Sequence, residues 1–230
     1  MNGLLGLDIY YVILVVPTIL LSMWAQFKVK STFSKYSQVR CSRGISGAQA
    51  AQLLLQANNI SNVSIENVAG SLTDHYDPSH HVLRLSEPVY GQSSISAVGV
   101  AAHETGHAIQ HARGYGPLAL RSILVPVANI GSSLGPWIAM AGLAMSFGFL
   151  LNIGIMLFAG AVAFYLITLP VEFNASSRAL AILSQNQVLS GEELKGVRKV
   201  LSAAAMTYVA SALTALMSLI RLILLSRRRH

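Results

Sequence analysis

A single cysteine, Cys41, and very little charge set the first limits on this chain of 230 residues. One thiol can close no internal disulfide and build no thiolate cluster, so any metal site must draw on histidine and carboxylate. Charged residues make up 11% of the chain and hydrophobic ones 53%, where an ordinary soluble domain carries about 25% charged. A surface so poor in charge cannot face water everywhere. The mean hydropathy of +0.54 therefore makes lipid part of the solvent. Acids are also scarce, 9 against 16 bases, and the pI near 9.8 raises the question of nucleic acid. The positions of the bases answer it. Lys28, Lys30, Lys35, Arg40 and Arg43 follow one apolar run, and Arg227, Arg228 and Arg229 follow another. Those are the places where cations anchor helices to headgroups, so a lipid bilayer and no nucleic acid is the expected partner.

The run Ile9 to Phe27 is uncharged and long enough, at about 1.5 Å per residue, to cross a hydrocarbon core about 30 Å thick. Without a basic stretch before it or a small-residue cleavage site after it, the run reads as an uncleaved anchor. Residues 28–43 read as a basic linker. Residues 45–60 carry apolar positions at helical spacing behind Ser46 as N-cap. Residues 63–68 alternate like a strand, and 72–89 read as a hairpin turning at Asp77-Pro78-Ser79. Ser93 to Arg113 reads as a helix stopped by Gly114 and Pro117. Residues 122–171 contain no Asp, Glu, Lys or Arg. One helix that long would be over twice the membrane thickness, so two spans are expected, with a turn near Gly148 to Gly154. A charged segment, Gly191 to Lys199, then leads into a last span. The expected architecture is a mainly α integral membrane protein, one membrane-embedded domain with about four transmembrane helices. The spans fall at about 9–27, as a hairpin within 120–170, and at about 200–222. A small α+β soluble part with a short β-hairpin occupies about 45–117, and a further helix about 171–184.

The chemistry sits in His103-Glu104-Thr105-Gly106-His107. On a helix, residues four apart lie on one face, so both imidazoles can reach one metal ion. Glu104 falls beside them and can reach a metal-bound water without ligating. Zinc lowers the pKa of such a water toward about 7, and Glu104 is then placed to take its proton. Two histidines leave a catalytic site one protein ligand short. His111 lies eight residues beyond His103, about 12 Å along a helix, too far to share the ion. His75, His80 and His81 in the hairpin are candidates. Glu172 is the strongest, because two intervening spans return the chain to the side it left, and an acid emerging from lipid needs a partner. The competing reading makes Glu172 the N-terminal cap of a helix running to Leu183.

HETGHAIQH, preceded by LTDHYDP and followed by LPVEFNASSRAL, resembles the YugP-like family of small prokaryotic membrane zinc peptidases over nearly the whole chain. HETGH and the Glu172 segment resemble, more distantly, the heat-shock-induced membrane proteases and the CAAX prenyl proteases. The close resemblance implies a zincin-like soluble part of gluzincin type, Zn2+ bound by His103, His107 and Glu172, and Glu104 as general base. It implies no other cofactor. The distant relatives keep an acid four residues after the ligand Glu. Here that position is Ser176, and Asn174 or Ser176 is expected to stand in for it.

The expected activity is hydrolysis of a membrane-associated peptide or protein substrate. The substrate is expected to add as a strand to the edge formed by residues 81–87, with Arg178, His75 or Tyr76 as oxyanion donor. The alternative is a non-hydrolytic zinc-binding or transport membrane protein. The bases at 28–43 place the soluble part and the site on the cytoplasmic side of the cell membrane, whereas Arg227 to Arg229 pull the other way.

Overall fold

The computed structural model describes residues 8–227. A π-helical turn, Tyr11–Val15, opens into α1 (Val16–Ser37). There follow α2 (Gly47–Ala57), β1 (Ser64–Val68), β2 (His75–Asp77), β3 (Val82–Ser86), the single turn α3 (Glu87–Tyr90) and α4 (Ile95–Ala112). Three long helices complete the chain: α5 (Gly116–Ala144), α6 (Gly148–Gln185) and α7 (Gly191–Arg227). Four helices among the described residues are long and apolar enough to cross a membrane: Tyr11–Ser37, Gly116–Ala144, Gly148–Gln185 and Gly191–Arg227. The chain is a mainly α multi-pass membrane protein with a small α+β part, as its hydropathy requires.

The helices overrun their expected limits. α1 continues through the basic linker to Ser37, because residues 28–37 hold no Gly or Pro and the lysines are good helix formers. The turn between the two central spans lies at Met145 to Phe147, with Ser146 at φ +54°, ahead of the glycines expected to form it. Gly148 starts α6, and Gly154 serves packing. Gly154, inside α6, lies against the backbone of Ala139 in α5, where any side chain would collide, as is usual where membrane helices approach closely. Pro170 sits inside α6 without ending it, so Glu172 is mid-helix and cannot be an N-terminal cap.

The described residues form two compact units. The first comprises those up to Gln26, Ala119–Pro170, and those from Met206 onward. Its core gathers Leu151, Phe158, Val162 and Leu222 around small Ala139 and Ala161. Within it Asp8 pairs with Arg221, at 2.6 and 2.9 Å, with the guanidinium over the Tyr11 ring. A charge in an apolar helix needs such a partner.

The second unit comprises Phe27–Leu118 and Val171–Ala205. Ser46 caps α2 in a reciprocal box with Gln49, satisfying two otherwise orphaned N–H groups. The sheet order is β1-β3-β2, with β1 parallel and β2 antiparallel to β3. The hairpin turns where expected, since Asp77 accepts from the backbone of Ser79 and His80 and its other oxygen holds Arg84 at 2.9 Å. The edge expected at residues 81–87 is not an edge. β3 is central and paired on both sides, because its Val82, Leu83 and Leu85 are buried, each worth about 1.5–3 kcal/mol when removed from water. Beneath the sheet, α4 is enclosed by Leu54 and Leu55 of α2, Leu183 of α6, and Val197 and Leu201 of α7.

The ion pair in the first unit gives a test. Asp8→Asn leaves Arg221 without its counter-ion and is expected to cost about 2 kcal/mol, read as a lower melting temperature in detergent. Adding Arg221→Met should recover most of that loss.

Candidate metal centre

Ser94 caps α4 by accepting from the backbone of Ala97, which fixes where the helical turns fall and hence which face carries each imidazole. His103 and His107 lie one turn apart, with ring centroids 4.8 Å apart and planes crossing at 87°. Opposite them, α6 approaches closely because position 106 has no side chain. A Cβ there would stand 2.6 Å from the carbonyl oxygen of Ala175. Glu172, on that same stretch of α6, points one oxygen at both rings: Oε2 is 3.2 Å from His103 Nε2 and 3.5 Å from His107 Nε2.

These three side chains can hold a metal ion, since their ligand atoms lie within 4.8 Å of one another. The donor set also fits in detail. Zinc bonds of about 2.0–2.1 Å in a tetrahedral site separate neighbouring ligand atoms by roughly 3.3 Å, close to the 3.2 and 3.5 Å found. Each histidine has committed its other nitrogen elsewhere. Ser176 Oγ lies 3.1 Å from His103 Nδ1, and Gln110 Oε1 lies 3.0 Å from His107 Nδ1. Both Nε2 atoms are thereby turned to the same point.

Burial sharpens the electrostatics. Glu172 is 2% exposed and His107 7%. Burial disfavours the charged His107 imidazolium, but the Glu172 hydrogen bond and the charges of Glu104 and Glu172 outweigh it and raise its pKa above the ordinary histidine value. Glu104 is buried as well. It acts on His107 through its charge, yet it forms no hydrogen bond or ion pair among the described residues.

The structure brings together His103, Glu104, His107 and Glu172 and leaves the other candidates aside. His80 pairs with Asp77, His81 meets Asn62, and His75 meets Thr73 and Arg84. His111 bonds the Tyr76 hydroxyl at 2.9 Å, which occupies one proposed oxyanion donor. Arg178 donates to Asn174 and lies over Tyr115. Of the two stand-ins for the missing acid, Ser176 touches a ligand directly, and Asn174 does so only through Gln110. Gln110 was not anticipated. Its signal in the sequence was a polar residue three positions after His107, on the same helical face.

Comparison with known proteins shows the family. A profile of the family described as "Putative neutral zinc metallopeptidase" matches residues 11–227. The chain belongs to that family. It is also 50% identical over 215 residues to the "Putative membrane protease YugP" of Bacillus subtilis (strain 168), covering 94% of this chain and 96% of that protein. No solved structure matches. The family's metal is zinc, and the His103, His107 and Glu172 cluster is where this member can hold it.

Two measurements follow from the site. Zinc must displace the proton that His107 holds, and its raised pKa means that protons compete from a higher pH than for an ordinary histidine. Zinc affinity is therefore expected to weaken as pH falls, starting above the usual histidine range. A chelator-competition titration across pH gives the curve. Gly106→Val should force α4 and α6 apart, costing about 1–3 kcal/mol and weakening zinc retention in the same preparation.

Proposed function

We propose that the chain is a membrane zinc endopeptidase in which His103, His107 and Glu172 hold the metal and Glu104 is the general base. Zinc, when bound, supplies Lewis acidity, lowering the pKa of a water and polarising the peptide carbonyl. Glu104 accepts the proton of the attacking water and returns it to the leaving amine, which splits the scissile C–N bond into a carboxylate and an amine. The observation that carries this reading is the contrast between two buried acids: Glu172 is engaged by both imidazoles, and Glu104, the neighbour of His103 in the chain, is left without a bonding partner. A carboxylate beside the cluster with no partner of its own is placed to take up a proton.

The substrate lies extended along β2, an edge strand of the sheet whose Tyr76 reaches His111, one turn beyond His107. Extended peptides commonly add to such edges. Membrane spans in the same chain favour membrane-associated substrates, and the bases between Lys28 and Arg43 favour cytoplasmic placement of the site.

Purified protein should contain one zinc per chain. Glu104→Gln is expected to keep the metal and lose about 10²–10⁴-fold in peptide cleavage, whereas Glu172→Ala loses zinc. Undiminished cleavage by Glu104→Gln would refute the assignment. Metal flux in proteoliposomes without cleavage would point to the transport alternative.

A further inference from the structure

The hydrogen bonds behind His107 form a chain whose direction cannot be reversed. Arg178 has donors only, so the Asn174 atom it approaches at 2.7 Å must be the carbonyl oxygen Oδ1. That oxygen can then only accept from Gln110, whose Nε2 lies 3.0 Å away. The same Nε2 lies 2.8 Å from the backbone oxygen of Val171, a second group that only accepts. Both amide hydrogens of Gln110 are thus committed to α6, and its Oε1 is left facing His107 Nδ1 at 3.0 Å. An oxygen there demands that Nδ1 carry a proton, so Nε2, the nitrogen turned toward Glu172, is the one that gives up its proton to a metal. Gln110 is fully buried, which leaves no water to offer its amide another arrangement.

We infer that Gln110 is a positioning residue whose polarity, imposed by the Val171 carbonyl and by Arg178 through Asn174, selects the metal-binding tautomer of His107. The inference rests on His107 being a zinc ligand. The relay also ties that ligand on α4 to the segment of α6 that carries Glu172, so one amide sets both the tautomer of one ligand and the docking of another. His103 lacks such control. Its partner is the Ser176 hydroxyl, which donates or accepts equally well, so either tautomer is satisfied there. The half-buried Arg178 consequently serves as the fixed end of the relay, holding Asn174 in one orientation.

The test uses the full-length protein in detergent. Long-range proton–nitrogen correlation of ¹⁵N-histidine-labelled apo-protein reads the tautomer, and chelator competition reads zinc affinity. At a pH high enough to leave His107 neutral, wild type should show it protonated at Nδ1. Gln110→Leu should give a mixture of tautomers and a loss of about 10–100-fold in zinc affinity, the range for partners behind a metal ligand. Arg178→Lys, which still only donates, should stay near wild type, and Arg178→Met should lose affinity because Asn174 can then turn over. An unchanged tautomer and unchanged affinity in Gln110→Leu overturn the relay, as does equal affinity in Arg178→Lys and Arg178→Met, the pair that decides if Gln110→Leu does not fold. Full zinc retention in His107→Ala would instead remove the ligand assignment itself.

Discussion

Two imidazoles and a carboxylate must meet, almost wholly shielded from water, on two different helices, and the architecture of the second unit answers to that demand. A buried carboxylate is costly unless it is paired or bound to a metal, and Glu172 meets the condition through His103 and His107. The meeting requires α4 and α6 to approach more closely than ordinary side chains permit. Gly106 against Ala175 allows it, and the small residues around Ala101, Ala102 and Ala108 let the rest of α4 sink into the core. The large apolar residues that enclose α4 come from its neighbours, so the helix that bears the chemistry is held from outside.

Several of the few acids have an identifiable structural task. Asp74 caps the end of β3 through Ser86, and Asp77 holds the hairpin turn and Arg84. Glu193 closes the start of α7 by accepting from Ser190 and reaches across to Ser42. Asp8 neutralises Arg221 in the apolar unit. Glu104, beside the histidines, forms no hydrogen bond or ion pair among the described residues.

Much of this was legible before any coordinates. The cap at Ser46, the turn at Asp77, the helix carrying HETGH and the number of spans all follow from local chemistry, because capping, turn formation and hydropathy depend on neighbouring residues. Errors arose where a residue's role depended on distant partners. Glycines 148 and 154 looked like a turn because glycine permits one, but one is spent on helix contact and the other only starts α6. Residues 81–87 looked like a free edge because alternation does not reveal which strand lies in the middle. The span expected to end at residue 170 and the helix expected from 171 are one helix, because a proline such as Pro170 is tolerated inside a long apolar helix.

By itself, the sequence determined that the protein lives in a membrane, that its metal site is built from histidine and carboxylate, and that His103, Glu104 and His107 share one helical face. Composition and short-range spacing carry that information. Only the tertiary structure decided that Glu172 and not a hairpin histidine stands opposite both rings, that Ser176 backs His103, and that Gln110 backs His107. Those outcomes depend on how closely two helices far apart in the chain can pack, and that distance is set by the missing side chain at Gly106 and the carbonyl of Ala175.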